Sequence, residues 1–249
     1  MSEAIDLAVI GGTGLYRFPG LEDVERHAVD TPYGHPSDAV VVGRVGTHRV
    51  GFLARHGESH TIPPHRVNYR ANLWALQHIG ARRVIGVNAV GGIRDDMGPR
   101  VLAVPDQLID YTHGRLTSFC DVAGAQVKHI DFSEPYSAGL RTQLLLAARR
   151  AGIAAVDGGC YGATQGPRLE TRAEIARLRR DGCDLVGMTG MPEAALAREL
   201  ELDYACLAIV ANWAAGCGDE VEISLPEIFA NLEAVTANVP SIIAAVLAG

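Results

Sequence analysis

The chain has 249 residues, of which 48% are hydrophobic and 20% charged, and its formal net charge is −7. A chain of this length buries a core large enough to fold without disulfides or a structural metal, so we expect one domain spanning residues 1–249. The acidic balance argues against non-specific binding to nucleic acid.

The five cysteines form no C-x-x-C pair. They argue against a disulfide scaffold and a zinc ribbon, and they favour a reducing cytoplasm. Acidic residues precede the first short apolar run, which is unlike a secretory signal, and no uninterrupted apolar run is long enough to cross a bilayer. The sequence therefore predicts a protein that is neither exported nor inserted in a membrane.

In the first third of the chain, apolar residues at helical spacing predict a helix over 67–79 that ends at Gly80. Short apolar runs predict strands before and after it, over residues 5–12, 39–55 (two strands) and 83–90.

Strands and helices go on alternating, with no linker or repeat, in the rest of the chain. The predicted strands cover 101–111, 154–160, 184–188 and 204–213. The predicted helices cover 137–151, 172–181, 192–200 and a C-terminal stretch that begins near Pro226 and contains Pro240. This alternation indicates an α/β fold, with a largely parallel but mixed central sheet flanked by helices and ligands at the strand ends.

The loop Gly11-Gly12-Thr13-Gly14 follows the first predicted strand. Glycines let successive backbone N–H groups converge, and the Thr13 hydroxyl adds a donor, which suits a phosphate-sized anion. A purely structural turn is an equally good interpretation of this loop alone. A nucleotide-sensing Rossmann module is a weaker one, because the third glycine of the dinucleotide fingerprint is missing.

The tetrad Arg55-His56-Gly57-Glu58 lies at a later strand end. Arginine suits bidentate contact with phosphate, and histidine adds a further donor. The alternative is a solvated arginine beside a packed histidine. The tetrad also resembles the phosphohistidine phosphatase motif, but that motif belongs on the first strand.

Two further loops carry polar groups at strand ends. In the loop 166–171, Arg168 and Glu170 are within reach of a polar ligand, although a glutamate at a helix start often only complements the dipole. In the loop 187–193, Thr189 and the helix N–H groups favour an anion or sugar hydroxyls. Met188 is ordinary core in most such settings.

Five motifs in order and spacing resemble the methylthioadenosine phosphorylase branch of the trimeric purine nucleoside phosphorylases: GGTGL at 11–15, RHGxxHxxxPxxVNYRANxWAL at 55–76, NAVGGIR at 88–94, GPRLETRAE at 166–174 and GMTGMPEAALARE at 187–199. The resemblance implies a single nucleoside phosphorylase domain and a homotrimer. It also implies phosphorolysis of a purine nucleoside, with inorganic phosphate as co-substrate and no metal or organic cofactor.

The resemblance also assigns roles to individual residues. Met188 matches the residue under the ribose, Leu169 stands where a phenylalanine packs on the base, and His129 matches a histidine that covers the 5′ group of a neighbouring subunit's nucleoside. The residues that match the family's phosphate contacts are Thr13, Arg55, His56 and Thr189. Asn88 and Ala89 occupy the loop where a Thr-Ala pair of the family also contacts phosphate.

The base pocket departs from the adenosine-type members, which carry an Asp-x-Asp pair where this chain has Asn212-Trp213-Ala214. The Asn212 amide offers a donor and an acceptor, which fits O6 and the protonating N7 of a 6-oxopurine, so it is the candidate catalytic residue. Ala214 would leave the exocyclic amine of adenine unpaired, at a cost of about 1–3 kcal/mol. Alternatively, Asn212 only caps a strand end and adenine binds through water.

The RHG…VNYRAN block and the His129 segment are similar to the methylthio branch, which favours a 5′-thioether over a 5′-hydroxyl. The expected reaction is phosphorolysis of 5′-methylthioinosine to hypoxanthine and 5-methylthioribose 1-phosphate, in purine and methylthioadenosine salvage. Methylthioadenosine and inosine or guanosine stay open as alternative substrates.

Overall fold

The computed structural model describes residues 4–122, 124–218 and 223–249. Within these ranges the strands are β1 Leu7–Gly11, β2 Glu22–His27, β3 Val40–Val45, β4 His48–Ala54, β5 Arg83–Gly92, β6 Leu102–Val104, β7 Gln107–Asp110, β8 Ala155–Asp157, β9 Cys160–Ala163, β10 Leu185–Gly187 and β11 Asp203–Trp213. The helices are α1 Tyr69–His78, α2 Ala138–Arg150, α3 Arg172–Arg180, α4 Gly190–Glu199, α5 Leu225–Thr236 and α6 Val239–Leu247.

Helix starts follow the expected capping chemistry. The side chains of Asn68, Ser137, Thr171 and Ser224 each accept a hydrogen bond from a backbone N–H in the first turn of α1, α2, α3 and α5. In α4 the backbone of Met191 is extended, with φ −121° and ψ 142°, so continuous helix begins at Pro192 as predicted.

The strands form one mixed sheet in the order β2-β3-β4-β1-β5-β10-β9-β7, while β11 pairs with β5 and β6, and β6 with β8. The pairs β1–β4, β1–β5, β5–β11 and β9–β10 are parallel, whereas β5–β10 and β6–β11 are antiparallel. The predicted α/β class with a mixed central sheet is confirmed.

One edge of β5 is shared by two strands, β1 and β10. The other edge of β5 pairs with β11 along the whole length of β5. On the shared edge, β1 pairs with Val84–Gly86 and β10 pairs with Gly91 and Gly92 from the opposite direction. Because both strands stop short of each other, the edge of β5 between these pairings, residues 87–90, faces a gap. This gap positions the candidate site.

Because side chains alternate along the strands, apolar residues of β1 point to both faces of the sheet, and helices cover both faces. On one face, Ala8 and Ile10 of β1 pack in the same cluster as α1 and α4. On the other face, Leu7 and Val9 pack with α2, α5 and α6. α3 covers β9 and β10 through Ile175 and Leu178 in a third, smaller cluster.

The prediction of one C-terminal helix containing Pro240 is wrong. The chain forms α5 and α6, and Pro240 lies in the first turn of α6, where its missing N–H breaks no helical bond. By length and composition alone, Leu225–Leu247 could cross a membrane, although polar residues interrupt its apolar sequence. Half of its most apolar window is buried inside the molecule, where both helices pack on the sheet as core helices do.

Two strand predictions also need correction, and one strand was missed. The predicted strand 101–111 is divided into β6 and β7 at Pro105, which has no N–H for a ladder. The predicted strand 154–160 is divided into β8 and β9 by Gly158 and Gly159, whose φ values are positive. Strand β2 was not predicted, because its sequence EDVERH is charged and lies exposed at the sheet edge.

Candidate active site

A cavity of about 580 Å³ opens at the gap on β5, a size typical of small-molecule sites. Its walls come from the loops after β1, β4, β9 and β10, from β5 and β11, and from α5. The four loops that the sequence analysis singled out therefore meet at one place. The predicted site residues on this wall are Thr13, Arg55, His56, Ala89, Leu169, Met188, Thr189, Asn212 and Ala214.

The glycine loop after β1 runs close to β5. A Cβ on Gly12 would lie 2.5 Å from the Val87 carbonyl oxygen and 2.9 Å from Arg55 Nη1, so no other residue fits there without displacing backbone. Leu15 N donates to Gly12 O at 3.0 Å and closes the turn. This close approach brings Thr13 to the cavity wall, as an anion-binding loop requires.

Arg55 is completely buried and most of its hydrogen-bonding capacity is used within the protein. Nε and Nη2 donate to the two carboxylate oxygens of Glu193 at 2.7 and 2.8 Å, a bidentate ion pair. Nη1 donates to Val87 O at 2.9 Å, and Nη2 also donates to Asn88 Oδ1 at 3.1 Å. One N–H on Nη1, next to Gly12, has no acceptor among the described residues and is left for a ligand. The expected bidentate contact of Arg55 with phosphate is therefore wrong, because Glu193 takes the bidentate contact.

Asn88 lies behind the cavity wall and orients Thr189. Asn88 is fully buried, and its Nδ2 donates to Thr189 Oγ1 at 3.0 Å. Because the Thr189 oxygen already accepts this bond, its hydroxyl hydrogen is left to donate to an anion in the cavity. Asn88 is thus placed to act through Thr189 and Arg55, while its neighbour Ala89 reaches the wall.

His56 is held as a neutral imidazole. Its Nδ1 donates to the Ile62 carbonyl oxygen at 2.7 Å, since a carbonyl only accepts, and Nε2 remains for a ligand. Burial, followed by the charge of Arg55, lowers the pKa of His56 to about 4. At neutral pH, Nε2 is therefore an acceptor that suits a P–OH group, and the expectation that His56 adds a donor is wrong.

This pKa predicts a loss of stability in acid. The unfolded chain binds the proton of His56 near pH 6.5 and the folded chain only near pH 4, so His56 lowers the free energy of unfolding as pH falls through that window, by up to about 3 kcal/mol. His56→Asn keeps the donor to Ile62 but does not titrate. Urea unfolding between pH 7 and pH 4 should show a shallower decline for the variant, and equal declines would refute the assignment.

Asn212 reaches the cavity because β11 carries a bulge. The register with β5 shifts between Val210 and Asn212, so that Asn212 pairs with Gly91 and Ala211 has no partner on β5. A bulge re-aims the side chains that follow it. Asn212 Nδ2 donates to the Trp213 carbonyl oxygen at 2.7 Å, which leaves Oδ1 and one N–H for a ligand.

The two charged residues in the loop after β9, Arg168 and Glu170, lie in different surroundings. Arg168 does not line the cavity, and the expectation that it reaches a ligand is wrong. It pairs instead with both carboxylate oxygens of Glu174, at 2.7 and 2.8 Å. Glu170 does line the cavity, and its Oε1 accepts a hydrogen bond from Thr164 Oγ1 at 2.6 Å. Oε2 is left as an acceptor for a ligand.

Two residues that hold the site together, Glu193 and Arg115, were not predicted from the sequence. Glu193 is fully buried, pairs with Arg55 and accepts from Tyr204 Oη at 2.7 Å. Its place within the motif at 187–199 was the only signal. Arg115 donates to the carbonyl oxygens of Met188 and Met191 at 2.8 and 2.6 Å, and to Gln165 O at 2.9 Å, so it holds two cavity loops together. No sequence pattern pointed to it.

His129 is exposed and does not line the cavity of its own chain. It lies between β7 and α2, in a long connection whose described residues form no helix or strand. Among residues 4–122, 124–218 and 223–249 there is no group of three or more His, Cys, Asp or Glu side chains suited to a metal ion.

Known proteins resemble the chain over almost its whole length. A model described as "Phosphorylase superfamily" matches residues 6–248. The probable S-methyl-5′-thioinosine phosphorylase of Xanthomonas campestris pv. campestris is 64% identical over 97% of each chain. The 6-oxopurine nucleoside phosphorylase of Pyrococcus furiosus is 47% identical over 84% of this chain and 80% of that one. The methylthioadenosine phosphorylase of Schistosoma mansoni in complex with adenine superposes with a TM-score of 0.93 and 32% identity, over 98% of this chain and 91% of that one.

The match to the superfamily includes all the strands and loops that build the cavity. The resemblance predicted from the five motifs is therefore confirmed, and the chain belongs to the phosphorylase superfamily, as a nucleoside phosphorylase.

Proposed function

We propose that the chain catalyses phosphorolysis of 5′-methylthioinosine, releasing hypoxanthine and 5-methylthioribose 1-phosphate, with inorganic phosphate as co-substrate and no metal or organic cofactor. One observation carries the proposal: a single cavity has hydroxyl and N–H donors at the β5 gap, and it has Asn212 near the end of β11, with the apolar Ala214 just after that strand.

The β5 gap supports the phosphate half of the reaction. Thr13, Thr189 and the remaining N–H of Arg55 supply donors, and Nε2 of His56 supplies an acceptor for a P–OH group. The charge of Arg55 is matched by Glu193, so the anion would be held by directed hydrogen bonds more than by net positive charge. Phosphate fixed in this way below the sugar stabilises the positive charge that develops as the glycosidic bond breaks.

The other end of the cavity supports a 6-oxopurine. As the bond breaks, negative charge develops on the purine; Asn212 Oδ1 can accept from a protonated N7, and its free N–H can donate to O6. The free Oε2 of Glu170 can accept from N1–H, which hypoxanthine has and adenine lacks. Ala214, buried and apolar, offers nothing to an exocyclic amine.

The side of the cavity formed by Ile223 and α5 supports a thioether. It presents Ile223, Leu225, Ile228, Phe229 and Leu232, all apolar. Leu225 and Phe229 are 60% and 53% exposed, so a ligand that covered them would gain from burial. A 5′-methylthio group makes such contacts, whereas a 5′-hydroxyl would lose its hydrogen bonds there.

We further propose that the enzyme is a cytoplasmic homotrimer in which His129 covers the 5′ group in a neighbouring subunit's cavity. All five cysteines are free thiols, which fits a reducing compartment. The segment that carries His129 also exposes Leu116 and Val127, as an interface would. Light scattering should give three times the chain mass, and His129→Ala should raise the KM of the nucleoside but not that of phosphate. A monomer would refute this assembly.

A substrate panel tests the proposed reaction. Methylthioinosine, methylthioadenosine, inosine and adenosine are each incubated with and without phosphate, and base release is followed. We expect phosphate-dependent release that is fastest with methylthioinosine. Equal rates without phosphate would identify a hydrolase, and faster cleavage of methylthioadenosine would refute the assigned base.

A further inference from the structure

The bulge that carries Asn212 is held by a side chain from a different element. Asn231 of α5 is buried, and its Nδ2 donates to the carbonyl oxygen of Ala211 at 2.9 Å. Ala211 is the extra residue of the bulge and is itself buried. A bulge leaves this residue outside the ladder, so its carbonyl oxygen needs a hydrogen-bond donor from elsewhere. Asn231 supplies that donor.

Arg100 fixes which way the Asn231 amide faces. Its Nε donates to Asn231 Oδ1 at 2.7 Å, so the oxygen of the amide points to Arg100 and the nitrogen to Ala211. The backbone of Arg100 lies beside the bulge, since its N–H donates to Val210 O at 2.8 Å. Arg100 has a φ of 69°, in the left-handed region that is uncommon for arginine.

The same helix forms part of the cavity. Ile228 and Leu232, three residues before Asn231 and one after it, line its wall. The hydrogen bond from Asn231 to Ala211 therefore connects α5, which forms part of the apolar wall, to the end of β11 that carries Asn212. If α5 moved, the carbonyl of Ala211 and the side chain of Asn212 would move with it.

We propose that Asn231 is a positioning residue that sets Asn212 for the purine, with Arg100 orienting its amide. The inference rests on the proposed function, in which Asn212 contacts the base. It assigns to α5 a part in recognising the base, in addition to lining the wall.

Asn231→Asp tests this role with little change of shape. Aspartate keeps an acceptor for Arg100 but puts an oxygen where Nδ2 now donates to Ala211 O, so it replaces an attraction by a repulsion. We expect kcat/KM for methylthioinosine to fall at least tenfold, the Kd of hypoxanthine measured by calorimetry in the presence of phosphate to rise similarly, and the KM of phosphate to change less than twofold. Asn238→Asp, the same change at the start of α6, where the asparagine makes no side-chain cap, should match the wild type.

A second variant keeps the test decisive if Asn231→Asp does not fold. Arg100→Gln leaves the bulge donor in place but removes the orienting contact, and should weaken hypoxanthine binding about threefold to fivefold. Unchanged hypoxanthine affinity in the folded variants, or an equal rise in the KM of phosphate, would overturn the proposal. If the wild type binds hypoxanthine but does not cleave methylthioinosine, the proposed substrate fails while the positioning role is still tested.

Discussion

Arg55→Ala is expected to destabilise the protein by about 3–5 kcal/mol, as well as to weaken phosphate binding. Arg55 and Glu193 have no exposed surface, and removing the guanidinium leaves the carboxylate buried, with the Tyr204 hydroxyl as its remaining side-chain donor in the described part of the chain. The free energy of unfolding, measured in urea, should show this loss directly. A loss below about 1 kcal/mol would mean that water enters and solvates Glu193.

A double variant separates the unpaired charge from the lost packing. Arg55→Met with Glu193→Leu removes both charges, so it should recover part of the stability lost in Arg55→Ala, because no charge is left uncompensated. Both variants should raise the KM of phosphate at least tenfold, since both lose the remaining N–H on Nη1. If only the KM of the nucleoside rose, Arg55 would not face phosphate.

Arg55→Lys is the matched control for charge. Lysine keeps the positive charge but lacks the planar fork that meets Glu193 at two points and Val87 O and Asn88 at two more. We expect it to resemble Arg55→Ala in activity more than the wild type, which would show that geometry matters here more than charge.

The sequence identified the cavity loops because each combines glycine, threonine or a charged residue with a strand end. Thr13, Thr189 and Met188 lie in such loops, and local patterns are sufficient to find them. The RHGE tetrad misled in one respect. Read alone it suggested a phosphatase, whereas in the fold Arg55 is committed to Glu193, 138 residues away in the chain.

Contacts of that separation are what the sequence could not predict. The Arg55–Glu193–Tyr204 network requires Gly86, because a Cβ there would overlap the Tyr204 hydroxyl and approach Glu193. Nothing in the strand pattern of β5 indicates this. The roles of Arg115 and Asn231 likewise depend on which loops and bulges meet in space, and their local sequence resembles any helix or connection.

Asn212→Asp with Ala214→Asp is expected to shift the preference from methylthioinosine toward methylthioadenosine by ten to a hundredfold. Two carboxylates would accept from a protonated N7 and from the exocyclic amine of adenine, which in the wild type meets only the methyl group of Ala214. An unpaired buried amine costs about 1–3 kcal/mol, which corresponds to this range of ratios.

The ratio of kcat/KM for the two substrates is the quantity to measure, because it is independent of the active fraction of each preparation. This matters at position 214, since Ala214 is buried beside Ile93 and Val186 and a carboxylate there will lower stability. Asn212→Asp alone separates the two positions: it should lose most of its activity on methylthioinosine without gaining on methylthioadenosine.

Glu170→Gln tests whether Glu170 also contributes to the choice between hypoxanthine and adenine. Its amide can donate to the unprotonated N1 of adenine, where the carboxylate of Glu170 can only repel it, so adding Glu170→Gln to the double variant should increase the shift further. If the ratio stays at its wild-type value in the double variant and moves only when Glu170 is changed, then the wall formed by the loop after β9, and not the bulge of β11, selects the purine.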